Sequence, residues 1–259
     1  MSLHEVNPSI KAFTVVVSIL ILSVFFDPIT PLVTILWSVT VTFLFGRVSF
    51  KKWLLLFTPF LFIAVIYVWS TMLFPRLQVG DHIIWQWGIL TVTAEGFQRG
   101  LSLGLRVLSF ATLSIMFTLT TKPTDFLLSL MQQCKLPPKL AYGIMAGYRF
   151  LPLIREEFLT LKNAHRVRGV AGARTIPEKI QQLKRYVIPL LAGAIRKAER
   201  TALAMESKGF TGAKNRIFYR EITVSRIDWI FLFLMIGAVI LSAFISWKLG
   251  YLQFYNGEL

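Results

Sequence analysis

Long apolar runs set the strongest limit on how this chain can fold. A bilayer core is crossed by about 20 mostly apolar helical residues, within a range of about 17–25. Four segments meet this description, and a fifth is less apolar because it contains Arg106 and several Ser and Thr residues. The four are residues 11–26, 29–45, 53–74 and 229–248, and the fifth is residues 100–120. The pattern predicts an all-α, polytopic membrane protein with about five transmembrane helices.

Composition supports a membrane location and excludes other classes. Mean hydropathy is +0.62, 55% of the residues are hydrophobic and only 16% are charged, whereas about a quarter is charged in soluble domains. A net charge of +15 is otherwise typical of nucleic-acid binding. A nucleic-acid protein has no need for this much apolar sequence, so we expect no nucleic-acid partner. Cys134 is the single cysteine, which excludes a disulfide scaffold.

The basic residues form two groups that predict the orientation in the membrane. Twenty of the 28 Lys and Arg residues lie within residues 122–226, and a smaller group lies within residues 47–52. Excess Lys and Arg marks the cytoplasmic side. Both groups are cytoplasmic if the N-terminus is cytoplasmic and the loop of residues 75–99 is outside. The tail of residues 250–259 has no Lys or Arg and is then also outside.

Residues 121–228 are too many for a loop and too charged to span the membrane. Two stretches within them repeat apolar residues at three- and four-residue steps, which predicts two long amphipathic helices. Pro152 and Pro189 are expected to kink or break these helices. The predicted organisation is four transmembrane helices in residues 1–120, a cytoplasmic coupling-helix domain in residues 121–228, and the last span with a short outer tail in residues 229–259.

The two amphipathic stretches end in the same way. Residues 164–170 and residues 204–210 both read Ala, variable, charged, variable, basic, Gly, apolar. Glycine suits the left-handed position just past a helix, and a basic residue in the last turn complements the helix dipole. The ending can be capping alone. It can also combine capping with docking, because exposed guanidinium groups bind carboxylates and carbonyls of partners.

Patterns for catalysis, metal binding or nucleotide binding do not occur in the sequence. There is no G-x-x-x-x-G-K-[ST] run and no H-E-x-x-H, and the three histidines are far apart. We therefore expect no catalytic residue, no metal site and no cofactor, and a protein that is not an enzyme. The alternative is an integral membrane enzyme acting on lipid or isoprenoid substrates, although paired carboxylates for such chemistry are not visible. A further alternative is a basic segment that only anchors on anionic lipid.

Several groups of residues, taken in order along the chain, resemble one known family. The groups are Asn7-Pro8 with Lys11, then Pro137-Pro138 with Tyr148-Arg149-Phe150-Leu151-Pro152 and Glu156-Glu157, and finally Arg166-Val167-Arg168-Gly169 and Glu206-Ser207-Lys208-Gly209. No single group is specific, but the ordered set covers nearly the whole chain. It resembles the transmembrane T component of energy-coupling factor (ECF) transporters, which import vitamins and metal ions across the prokaryotic cell membrane.

The resemblance implies that the two amphipathic helices rest on two ABC-type ATPase subunits, or on one fused ATPase. They would transmit nucleotide-driven closure to a membrane-embedded, substrate-binding S component. The residues that fall on the two short Ala-Arg-Gly motifs of the family, and so would bind the ATPases, are Arg166, Arg168, Gly169, Glu206, Lys208 and Gly209. The chain departs from the motifs at Val167 and Ser207, and also at Lys208, which lacks the bidentate fork of arginine.

Two other arginines are candidates for contact with the substrate subunit or for the bundle interior. Arg106 is the one charge well inside a predicted span, where an ionisable residue is a functional hypothesis by default. It lies about six residues, or about 9 Å, from the outer end of that span, so its side chain can also reach the membrane surface. Arg149 belongs to the central pattern of the family.

Overall fold

The computed structural model is almost entirely helical in the residues it describes, which are 3–73, 83–87, 90–169, 175–213 and 218–250. The helices are α1 (Pro8–Val24), α2 (Ile29–Gly46), α3 (Phe50–Leu73), α4 (Ala94–Thr120), α5 (Pro123–Gln133), α6 (Pro138–Val167), α7 (Ile176–Ser207) and α8 (Arg226–Lys248). The all-α fold class is thus confirmed.

A short antiparallel hairpin is the one addition to this helical order in the described residues. Its strands are β1 (Ile83–Trp87) and β2 (Leu90–Thr93), with Trp87 opposite Leu90. The hairpin occupies part of the segment expected as an outer loop. The rest of that loop before β1, and the tail after Gly250, lie outside the described residues.

Within the described ranges, four helices are long and apolar enough to cross a bilayer. They are α2, α3, α8 and the Gly96–Thr120 part of α4. The least apolar of the predicted spans is therefore among the candidates, within a helix that begins earlier than expected. The shorter apolar helix is instead α1, whose 17 residues stand at the lower end of the usual range. With α1 included, the part of the chain that the structure describes has five apolar helices, as predicted.

The chain forms two compact units. The first unit comprises Met1–Ser129 and Ile222–Leu259, and the second unit comprises Leu130–Glu221. The chain therefore passes from one unit to the other twice, after Ser129 and before Ile222. The predicted boundaries of the cytoplasmic domain, at residues 121 and 228, mark where the chain leaves and re-enters the membrane. They stay a prediction.

The first unit is a helical bundle in which α4 and α8 hold the other helices together. Helix α4 contacts α1, α2 and α3, and α8 contacts α1 and α2. A turn at Asp27 joins α1 to α2, and both helices pack against α4 and α8. All four helices contribute to one apolar core, whose buried members include Leu22, Val41, Leu113, Met116, Met235 and Val239.

Helix α3 packs along α4 and makes its closest approach at two glycines. A Cβ atom on Gly104 would lie 2.8 Å from a methyl carbon of Val68 and 3.2 Å from the carbonyl oxygen of Ala64. Gly100 faces α3 one turn earlier with similarly little space. Small residues four apart let helices in membranes approach closely. Most of the remaining side chains of α3 are exposed, as expected for a helix that faces lipid or another chain.

In the second unit, α6 and α7 run antiparallel. The ring of Tyr142, near the start of α6, packs edge-on against Phe210, just after α7. Near the other end, His165 packs against Tyr186. Both helices continue through their internal prolines, so of the predicted kink or break the structure excludes the break. A proline removes only one helical hydrogen bond, and the contacts along the pair support the helix on both sides of it.

An ion pair joins the two long helices near their middle. The Nζ atom of Lys197 lies 2.5 Å from an Oε atom of Glu157. Gly193, one turn earlier in α7, is buried beside the same carboxylate, and a Cβ there would lie 3.0 Å from it. Helices α6 and α7 are thus connected at mid-length as well as near their ends.

Candidate functional site

The first predicted motif forms the C-terminal end of α6. The helix ends at Val167, and Arg168 is its cap residue. Gly169 has a φ of 70°, in the left-handed region that favours glycine. Its amide donates to the carbonyl of Arg166 at 3.1 Å, and the amide of Arg168 donates to Ala164 at 3.1 Å. The following apolar position of the motif, Val170, lies outside the described residues.

The second motif ends α7 with the same geometry. Gly209 has a φ of 80°, and its amide donates to the carbonyl of Glu206 at 2.9 Å. The amide of Phe210 reaches back to Met205 at 3.0 Å, which completes a Schellman motif. Capping by glycine at both helix ends is thus confirmed.

Both motifs present their charged side chains to the surroundings. Arg166, Arg168, Glu206 and Lys208 are all exposed. Within the described part of the chain, none of these four side chains forms an ion pair or a side-chain hydrogen bond. A Cβ atom on either glycine would meet nothing within 4 Å, so packing does not explain the glycines. Each end is therefore a shaped, charged surface that the rest of the described chain leaves uncovered.

The motifs lie at opposite ends of the helix pair. Phe210, which follows the second motif, packs against Tyr142 at the beginning of α6. The first motif follows about 26 residues later in α6, which corresponds to about 39 Å at 1.5 Å per residue. The sequence showed that the two ends are alike, but only the antiparallel contacts place them so far apart. To cover both motifs, a partner would need either one large surface or two separate surfaces.

A groove adjoins the second motif. It lies between the first half of α6 and the last half of α7, and its volume is about 460 Å³. Gly143, Gly147 and Ala202 leave the space open, and Phe150 and Glu206 line it. This volume falls within the range of about 300–1,000 Å³ usual for binding sites. The second helix end thus borders a mostly apolar space that its own chain does not fill.

The two other candidate arginines lie in different units. The guanidinium of Arg106 on α4 is half-buried, donates to the carbonyl of Phe25, and lies 3.9 Å from the ring centroid of Phe26. It therefore contacts the end of the α1 segment. Arg149 is exposed on α6.

A buried polar cluster at one end of the bundle was missed as a structural unit. Lys11 and Asp228 are buried, as is Asn7, whose backbone amide donates to Asp228 at 2.7 Å. Asn7 and Lys11 were noted only as part of the family resemblance, and Asp228 was not noted. The signal for Asp228 is Ser225-x-x-Asp228 before an apolar run, a capping-box pattern that the structure contains.

Exchange of a motif glycine is expected to weaken the helix end. For Gly209→Ala we expect a loss of about 1–2 kcal/mol in the free energy of unfolding, since a left-handed conformation is strained for alanine. Gly143→Ala is the matched control. Its Cβ meets nothing within 4 Å in a helix interior, so it should stabilise by about 0.5–1 kcal/mol. Thermal unfolding of the purified variants measures both, and equal destabilisation would contradict the conformational role of Gly209.

The described residues contain no group of three or more His, Cys, Asp or Glu side chains that could hold a metal ion. The candidate site is therefore an arrangement of helix surfaces. A bundle of apolar helices joined to an amphipathic helix pair with exposed basic ends defines a polytopic membrane protein. The family model described as CbiQ, cobalt transport protein, matches residues 1–220. The chain belongs to this family and is a transmembrane T component of an ECF transporter.

Relatives of the same kind cover most of the chain. The energy-coupling factor transporter transmembrane protein EcfT of Limosilactobacillus fermentum is 28% identical over 234 residues, covering 87% of this chain and 86% of the relative. The EcfT protein of Bacillus subtilis is 30% identical, with 76% of this chain and 83% of the relative covered. That of Staphylococcus aureus is 26% identical, with 92% and 90% covered.

These similarities decide between the classes left open by the sequence. The relatives are membrane components of transporters, so the chain is a multi-pass transport protein and not an enzyme. The alternative of an enzyme acting on lipid or isoprenoid substrates is thereby overturned.

Proposed function

We propose that the pair of α6 and α7 docks on two ABC-type ATPase subunits, or on the two halves of a fused ATPase, with one helix end on each. The observation that carries this proposal is the presence of two matching, exposed, glycine-capped ends at opposite ends of one helix pair. Arg166 and Arg168 act at one end, and Glu206 and Lys208 act at the other. Gly169 and Gly209 supply the turn that exposes them.

The two-ended arrangement suggests how ATP-driven motion is transmitted. When two ATPase subunits close on nucleotide, surfaces bound about 39 Å apart along the pair move towards each other. The two helices are joined by the Glu157–Lys197 ion pair and by ring contacts near both ends. A displacement at either end therefore acts on both helices, and the crossing angle between them is the quantity that changes.

A membrane-embedded S component fits the apolar surface of the same helices. Large apolar side chains repeat at helical spacing on both helices and remain more than 45% exposed; they are Leu140, Ile144 and Leu151 on α6, and Ile180, Leu183, Val187 and Leu191 on α7. Exposed apolar patches of this extent mark interaction sites. We assign this surface, with Arg149 beside it, to the substrate-binding subunit. The cargo is a vitamin or a metal ion, whose choice belongs to that subunit.

The orientation that we propose places the N-terminus in the cytoplasm. The imidazole Nε2 of His4 lies 2.9 Å from the carbonyl oxygen of Gly46 at the end of α2, and Lys11 reaches Thr120 at the end of α4. These contacts bring the start of α1 and the ends of α2 and α4 to one end of the bundle. The two clusters of Lys and Arg residues, within residues 47–52 and 122–226, begin directly after the ends of α2 and α4. This supports placing both clusters on the same, cytoplasmic side of the membrane.

Purification of the complete chain from its native membrane tests the proposal. With a tag on the chain and a mild detergent, we expect an ABC-type ATPase and a small apolar membrane subunit to co-purify in fixed ratio. The preparation that contains the ATPase should hydrolyse ATP, and the tagged chain alone should not. Recovery of the intact chain without any nucleotide-hydrolysing companion would contradict the proposal.

A further inference from the structure

The two connections between the units are both tied to the beginning of α1. The chain leaves the first unit after Ser129 and returns at Ile222. The hydroxyl groups of Ser9 and Ser129 form a hydrogen bond at the point of departure. The first turn of α1 is thus in contact with the last residue before the chain enters the second unit.

Lys11 holds the outgoing chain from within the bundle. Its side chain is fully buried, and its Nζ atom donates to the carbonyl of Leu3 at 2.7 Å. The same atom lies 3.3 Å from the carbonyl and hydroxyl oxygens of Thr120 and 3.3 Å from the hydroxyl of Thr121. A buried ammonium group is costly unless it is well bonded, so this position is closely specified. The junction of α4 and α5 is therefore fixed to α1.

Asn7 and Asp228 hold the returning chain. The side-chain amide of Asn7 donates to the carbonyl of Thr223 at 3.4 Å, and its backbone amide donates to Asp228 at 2.7 Å. The other oxygen of Asp228 accepts from the amide of Ser225 at 2.7 Å. The segment that re-enters the bundle is thus fixed to the same turn of α1.

We infer that Asn7, Lys11 and Asp228 are positioning residues that pass motion of the second unit into the membrane bundle. One short element, the first turn of α1, holds both connections, so neither connection can shift without moving α1. Helix α1 in turn packs on α4 and α8. The inference rests on the proposed energy-coupling role, since it assigns the route by which a displacement of α6 and α7 reaches the spanning helices.

Hydrogen exchange of the complete ECF complex tests this route, with ATP, Mg²⁺ and vanadate as the probe. In the wild type, addition of nucleotide should change hydrogen exchange in the α6–α7 pair. It should also change hydrogen exchange in the bundle helices α1, α4 and α8. For Lys11→Met, which keeps the length of the side chain, the change in α6 and α7 should remain. The nucleotide-dependent change in hydrogen exchange of the bundle helices should be smaller than in the wild type by about fivefold or more. Fivefold is the smallest effect usual for energetic coupling between two sites.

Asn7→Ser provides a milder variant, because serine keeps the helix cap but does not reach Thr223. It should reduce the nucleotide-dependent change in the bundle even if Lys11→Met fails to fold. Ser246→Ala is the matched control, since it removes a buried hydrogen bond to Asp27 at the other end of the bundle. It should leave the response intact.

The outcomes separate the two proposals. A wild-type response in the bundle that persists undiminished in Asn7→Ser and Lys11→Met overturns the role of these residues alone. Absence of any nucleotide response in the wild-type complex, including α6 and α7, overturns the proposed function as well. If Ser246→Ala lost as much of the bundle's nucleotide response as Asn7→Ser, the inference would also be overturned. Asn7, Lys11 and Asp228 would then contribute only to the general stability of the bundle.

Discussion

Reversal of charge at both helix ends, by Arg168→Glu together with Lys208→Glu, is expected to abolish recovery of the ATPase with the chain. The side chains at these ends are exposed, so the substitutions should not disturb the fold. A like-charge contact costs several kcal/mol in an interface. Since each step of about 1.4 kcal/mol is a tenfold change, we expect affinity to fall about 100-fold or more. Co-purification and binding of the isolated ATPase to the purified variant measure the effect.

The matched control places the same charge change in the middle of the helices. Arg155→Glu with Arg196→Glu alters two exposed residues on α6 and α7 that lie away from both ends. We expect this variant to keep the ATPase. If it lost the ATPase to the same degree, and if the loss followed salt concentration rather than position, the basic segment would be a general electrostatic anchor. Lys208→Arg, which supplies the missing bidentate fork, should bind at least as well as the wild type.

The second large effect is expected from Asp27→Ala. Asp27 is buried in the turn between α1 and α2. One carboxylate oxygen accepts from the amide and hydroxyl of Thr30 at 2.7 and 2.6 Å, and from the hydroxyl of Ser246 on α8 at 2.6 Å. Alanine leaves these buried donors without an acceptor, which costs about 1–3 kcal/mol per group. We expect the free energy of unfolding to fall by about 3 kcal/mol, measured by thermal unfolding in detergent.

Asp27→Asn distinguishes the hydrogen bonds from the charge. The second carboxylate oxygen of Asp27 has no hydrogen-bond partner. Asparagine can keep the accepting oxygen and place its amide nitrogen where the unpartnered oxygen lies. We therefore expect a much smaller loss than for alanine. Equal losses in the two variants would show that the negative charge beside Arg106, and not the acceptor, stabilises this end of the bundle.

Features with a local cause were predictable from the sequence. The apolar runs gave the five helices, since length and hydropathy alone decide which helices can span a bilayer. The two helix ends were predictable for the same reason: a glycine after a basic last turn specifies its own backbone geometry, as Gly209 shows.

Features that depend on distant contacts were not predictable. No local pattern indicates that α1 and α2 both pack on α8, a helix about 200 residues later in the chain. Asp228 shows the same limit. Its local pattern indicates a helix cap, but nothing near it in sequence indicates that its second oxygen binds Asn7. The separation of the two motifs likewise required the contacts between α6 and α7.

The exposed face of α3 has a consequence for handling the protein. One face of this helix packs closely on Gly100 and Gly104 of α4, and most of its other side chains are exposed and rely on surrounding hydrocarbon. Detergents with short alkyl chains cover such a face poorly and compete for the contact with α4. Solubilisation in long-chain detergent or in nanodiscs should therefore preserve α3 in its place, and harsh extraction should release it first.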